Sequence, residues 1–123
     1  MPARIVIVHN EPEFADPLTA ALKSAGHDVA TFPDSIAAWD ALDAARRVEV
    51  LITRIRFSPG SPSGISLAQM ARYKRPGIRV VFAASPELAG YAAGLGEFVP
   101  MPASVPDVVH VVTRMLETDA EDA

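Results

Sequence analysis

Short apolar runs alternate along this chain with segments whose apolar residues recur every three or four positions, the pattern of strands alternating with helices. Ile5-Val6-Ile7-Val8 is an unbroken β-branched run, as expected of a strand covered on both faces in a parallel sheet. After His9, Asn10 and Glu11, the residues Leu18, Ala21, Leu22 and Ala25 share one helical face, and Gly26 stops that helix at C′. Asp16-Pro17 is a good N-cap and N1 pair; if the helix instead begins nearer Pro12, Pro17 deletes one internal hydrogen bond. Residues 28–32 read as a second strand. Pro33-Asp34-Ser35 then turns the chain and offers Ser35 as the cap of a helix with Ile36, Trp39, Leu42 and Ala45 inward and Asp40 and Asp43 outward. A third strand covers 48–53. Its core, Val50-Leu51-Ile52-Thr53, ends on a cation, Arg54.

Ser58-Pro59-Gly60-Ser61-Pro62-Ser63-Gly64 reads as a loop, since it lacks the lysine and the spacing of a phosphate-binding P-loop. A helix over about 65–74 turns Leu67, Met70 and Ala71 inward and ends at Pro76-Gly77. The fourth strand, 78–84, contains Val80-Val81-Phe82. Gly90 and Gly94 make the next helix weak, so it is expected to be short, mobile or irregular. Glu97-Phe98-Val99 is a brief fifth strand. Ser104 and Asp107 form a capping box ahead of the stripe Val105, Val108, Val109, Val112, Met115 and Leu116. Five strands and five helices joined by short loops specify a doubly wound α/β fold with a parallel sheet.

Composition narrows what such a fold does here. At 123 residues with no cysteine, the chain makes one domain, spanning 1–117, with neither a disulfide framework nor a thiolate metal site. It is too short for a second domain, so a stand-alone module is expected. The acidic residues 118–123 read as a disordered tail. The apolar run after Met1 is too short for a signal peptide or a membrane span, which makes a cytoplasmic protein without a membrane partner the expectation. A net charge of -4 gives no general attraction to nucleic acid. The pair Arg46-Arg47 and the cluster Arg72, Lys74 and Arg75 fall where the dipoles of their helices favour cations.

In doubly wound sheets ligands bind at the carboxyl ends of the strands, next to the switch point. For the strand order 2-1-3-4-5, that rule selects His9, Asn10, Glu11 and Arg54, with Ala84, Ser85 and Met101 on adjacent strand ends. Ser85, His9 and Glu11 contain the residue types of a hydrolase triad, but no Gly-x-Ser-x-Gly elbow presents the serine, so an enzyme is not expected. His27 and His110 have no second donor at metal-ligand spacing. A small anion held by Arg54, Ser85 and nearby amides is a separate reading of the same strand ends.

Over nearly its whole length the chain resembles the response-regulator receiver domains of two-component signalling, whose fold is flavodoxin-like. Ile5-Val6-Ile7-Val8-His9-Asn10-Glu11-Pro12 looks like the family's first strand, which ordinarily ends in two aspartates and Glu-Pro. Leu51-Ile52-Thr53-Arg54-Ile55-Arg56 looks like its third, with Arg54 in the place of the phospho-accepting aspartate. Ala84 then corresponds to the switch Thr or Ser, Phe98 to the switch aromatic, and Met101 to the lysine that precedes a cis proline, here Pro102. The resemblance implies magnesium held by acidic residues corresponding to His9, Asn10 and Arg54, of which none is acidic here; no metal or cofactor is expected. A guanidinium accepts no phosphoryl group. The loop after Arg54 looks about two residues longer than the family's, and 84–101 several residues shorter.

The expected protein is a phosphorylation-incompetent, bacterial pseudo-receiver of a phosphorelay. It would act by binding a histidine kinase, a phosphotransfer protein or another regulator, or by forming a homodimer through its fourth and fifth helices. A small-anion or nucleotide sensor built on Arg54 is the alternative. Arg54 is expected to reach Glu11 or Asn10.

Overall fold

The structure is a computed structural model that describes residues 3–122, with side chains described as far as Glu117. The strands β1 (Arg4–Val8), β2 (Asp28–Phe32), β3 (Val50–Thr53), β4 (Arg79–Ala84) and β5 (Glu97–Pro100) form one sheet in the order β2-β1-β3-β4-β5. Every neighbouring pair is parallel, with Ile7 opposite both Thr31 and Ile52. The helices are α1 (Pro12–Ser24), α2 (Ser35–Ala44), α3 (Gly64–Lys74), α4 (Ala89–Ala92) and α5 (Val105–Asp122). This is the doubly wound architecture that the alternation implies.

Because side chains alternate across a strand, each central strand feeds two cores. Val6, Val8, Leu51, Val80 and Phe82 join Ala38, Leu42, Leu67 and Ala71 under α2 and α3. Ile5, Ile7, Val50, Ile52 and Val81 join Phe14, Leu18, Leu22, Val108 and Val112 under α1 and α5. All four residues of β3 are fully buried. The strand is covered by helices on both faces and flanked by β1 and β4, and its one polar residue, Thr53, spends its hydroxyl on the Arg54 carbonyl.

The helix ends were only partly as expected. The first helix begins at Pro12, with Pro17 inside it. Its C-terminus is a Schellman motif: Gly26, at φ 94°, donates to Lys23 O while His27 donates to Leu22 O. For α2, the cap is Asp34 rather than Ser35; the Asp34 carboxylate accepts the N–H of Ala37 at 2.9 Å. Ser35 is the first helical residue and is fully buried. The expected inward face of α2 is also corrected. Ser35, Ala38 and Leu42 are buried, whereas Ile36 is 57% exposed and Trp39 and Ala45 lie at the flank of the core. Small residues at 35 and 38 let the helix approach the sheet closely, which Ile36 and Trp39 in those positions would prevent. With α2 ending at Ala44, Arg46 and Arg47 lie beyond its last turn, and Arg47 pairs with Glu49.

The link from β4 to β5 is as irregular as its glycines imply, a 3-10 turn over Pro86–Leu88 followed by the four-residue α4. For α5, Ser104 Oγ accepts the N–H of Asp107 at 3.2 Å. Its backbone is helical to Asp122, so the helix enters the segment expected to be a tail; the side chains beyond Glu117, and residue 123, lie outside the described residues. Among the described residues no helix is long and apolar enough to cross a membrane.

Candidate functional site

Val8 and Thr53 end β1 and β3 side by side, so the residues that follow them meet in one crevice at the switch point. The N–H of Arg54 donates to Val8 O at 3.1 Å, extending the ladder by one residue. Its guanidinium then reaches across the crevice, and NH1 donates to Asn10 Oδ1. Of the two partners expected for Arg54, the structure selects the neutral amide.

The backbone of Arg54 is fixed from two sides. The buried Thr53 donates through Oγ1 to Arg54 O at 2.8 Å. At the start of α3, Gly64 packs so tightly against that carbonyl that a Cβ on it would stand 1.8 Å from the oxygen. Gly64 also donates its N–H to Ile55 O at 2.8 Å, closing the base of the 54–64 loop. The Gly64 that reads in the sequence as loop chemistry is therefore a contact requirement at the candidate site. Ser63 caps α3 by accepting the N–H of Ser66 at 3.1 Å.

His9 is only 4% exposed and packs on Phe14 with ring centroids 4.8 Å apart. Its Nδ1 accepts the backbone N–H of Glu11 at 3.3 Å, so the neutral ring carries its proton on Nε2. Burial, and then the Arg54 guanidinium, lower its pKa from the ordinary 6.5, with Glu11 acting in the opposite sense. Glu11 is the N-cap of α1, and its carbonyl accepts the N–H groups of Phe14 and Ala15.

These residues border a pocket of about 80 Å³. Its lining joins His9, Glu11 and Arg54 with Ala84, Ser85 and Met101, all expected at the strand ends. Asn10 enters the group through Arg54. Phe98 and Pro102 do not: Phe98 packs against the core under α2 and α3, while Pro102 follows the cis Met101-Pro102 bond. Two charged lining residues escaped the sequence reading, Arg56 and Glu87. Arg56 was detectable, because it stands only two residues beyond Arg54 and so close to the end of β3. Glu87 was not, since only the 3-10 turn after β4 carries it there. A wider groove of about 500 Å³ lies beside this pocket, lined by Phe57, Pro59, Ile65, Leu88 and Tyr91 among others.

The donor set argues against a magnesium site. Magnesium takes hard oxygen ligands, and this crevice sets its two exposed carboxylates, Glu11 and Glu87, beside an amide, a neutral imidazole and the guanidiniums of Arg54 and Arg56. Among the described residues, no three His, Cys, Asp or Glu side chains are grouped to hold a metal. A hydrolase relay does not form either. His9 Nδ1 takes a backbone N–H where such a relay needs a carboxylate, and among the described residues no hydrogen bond joins His9 to Ser85.

No protein-family model matches the chain. The chain is 27% identical over 113 residues to the probable transcriptional regulatory protein TcrX of Mycobacterium tuberculosis. That match covers 88% of the chain and 47% of TcrX, so the chain spans about half the length of this curated relative. Among solved structures, a CheY-like receiver domain protein from Methanospirillum hungatei superposes with a TM-score of 0.85 at 16% identity, covering 100% of both chains. NtrX from Brucella abortus gives 0.84 at 23% identity, over 99% of this chain and 28% of that one. At these identities the likeness establishes architecture, and the chain has the fold of response-regulator receiver domains.

Proposed function

We propose that this chain is a receiver-like domain of two-component signalling that takes no phosphoryl group at the end of β3 and works through protein contacts. The observation that carries this reading is the position of Arg54. The fold places the residue after β3 at the mouth of the switch-point crevice, and here that residue is a guanidinium bound to Asn10. A guanidinium stays protonated at any physiological pH and cannot be phosphorylated as a carboxylate is. By resemblance, His9 and Asn10 stand where receiver domains carry acidic metal ligands, Ala84 where they carry a hydroxyl, and Met101 where they carry a lysine. Each replacement removes one part of the phosphoryl chemistry. Arg54 puts its own fixed charge where metal and phosphate would otherwise sit, which favours a single conformation.

The partner is a histidine kinase, a phosphotransfer protein or another regulator, or a second copy of the chain through α4 and α5. The groove beside α4 supports a contact role, since it lies next to Tyr91, a large apolar side chain 66% exposed. The description of TcrX as a transcriptional regulatory protein is consistent with a place in signalling. Incubation with acetyl phosphate and magnesium, followed by intact mass measurement, is expected to leave the mass unchanged. An acid-labile phosphoryl adduct would contradict the reading.

A further inference from the structure

The cations of this chain are not all neutralised in the same way. Arg4 pairs with Asp28, Arg47 with Glu49 and Lys74 with Asp43. Among the described residues, no carboxylate forms a salt bridge with Arg54 or Arg56, and both line the switch-point pocket. The side-chain partner of Arg54 is the neutral amide of Asn10, which orients the guanidinium without cancelling its charge. One N–H is used there, leaving the others of the fork to be matched. The charge is felt within the pocket, where it is the second cause, after burial, of the lowered pKa of His9.

The neutral donors lining the pocket suit the same ligand chemistry. With Nδ1 accepting from Glu11, His9 presents Nε2–H as a donor. The exposed Ser85 adds a hydroxyl at the rim. The volume of about 80 Å³ is several times the roughly 10–15 Å³ that one water needs, and far below that of a drug-sized or nucleotide pocket. Glu11 and Glu87 also line it, but both are exposed and solvent-screened, whereas Arg54 is half-buried. They keep affinity low without supplying a cation site, for the reasons of ligand chemistry given above.

We propose that this pocket binds one small oxyanion, with Arg54 as its principal ionic partner, Arg56 at the rim, and His9 Nε2–H and the Ser85 hydroxyl as neutral donors. This goes beyond the signalling reading and does not depend on it. The binding is reversible and needs no acyl phosphate, so a phosphate titration fails or succeeds independently of the acetyl phosphate experiment.

The test is a titration of the ¹⁵N-labelled chain with sodium phosphate, against sodium chloride at matched ionic strength. Saturable amide shifts with a millimolar midpoint are expected at 9–11, 54–56 and 84–85 with phosphate, and none that saturate with chloride. Arg54→Gln is expected to weaken binding roughly tenfold or more, since it removes the charge-assisted donors. Arg54→Lys keeps a charge without the fork and is expected to fall between the two, which guards against loss of folding in the glutamine variant. Arg46→Gln, on a separate surface beside Ala3 and Arg4, is the control. Shifts that never saturate, that survive Arg54→Gln unchanged, or that weaken equally in Arg46→Gln would overturn the proposal. A phosphoserine peptide matching phosphate would support the oxyanion chemistry and assign it to a protein source. AMP binding more tightly than phosphate would overturn the single-ion reading.

Discussion

Arg54 and His9 face each other across the crevice with opposite histories in solvent. The arginine is half-buried, while the histidine is buried and its lowered pKa keeps the ring neutral. Because the folded pKa of His9 lies below its unfolded 6.5, the unfolded chain takes up the proton first as the pH falls. The stability contributed by neutral His9 is therefore complete above that value and is lost as the pH drops through the folded pKa. Denaturant unfolding at about pH 7.5 and about pH 5 is expected to show a larger loss for the wild type than for His9→Gln, which cannot titrate. Equal losses in the two proteins would remove His9 from the pH response. The histidine was legible in the sequence as a strand-end residue. Its burial and its Nδ1 bond to Glu11 were not, because both depend on how the turn between β1 and α1 folds back.

At the scale of elements, the helix starts carry testable detail. Asp34→Ala should cost about 1 kcal/mol by removing the α2 cap, measured by urea unfolding. Ser35→Ala should cost almost nothing or stabilise slightly, since Ser35 Oγ is buried with no hydrogen-bond partner among the described residues. The sequence pattern implies the reverse, because either residue type makes a good cap and only the backbone shows which one lies outside the helix. Gly64→Ala should cost about 2 kcal/mol or more, because the obstacle is the Arg54 backbone rather than a movable side chain. It should also disturb the amide of Arg54. A variant as stable as wild type, with that amide unshifted, would show that the loop relaxes without effort.

For the whole molecule, one sheet is shared by two cores, so damage on either face is expected to be read everywhere. Leu51 points to the α2 and α3 side and Ile52 to the α1 and α5 side, both fully buried. Leu51→Ala and Ile52→Ala should each cost about 2–5 kcal/mol. In each variant the transitions followed by Trp39 fluorescence and by circular dichroism should stay coincident, as for one cooperative unit. Separate transitions would mean that the two cores unfold independently.

The sequence by itself determined the alternation of strands and helices, the parallel sheet and the strand ends where a site would form. Those features rest on local periodicity and on the continuous apolar character of strands such as Ile5-Val6-Ile7-Val8, which neighbouring residues alone express. It also placed Arg54 at the end of the third strand. Only the tertiary structure decided that Ser35 and Ala38 face the sheet, that Arg54 meets Asn10 rather than Glu11, and that Arg56 and Glu87 join His9 around one pocket. Those choices depend on side-chain direction and on distances between segments remote in sequence. Packing of helices against both faces of the sheet sets them, and no local pattern encodes them.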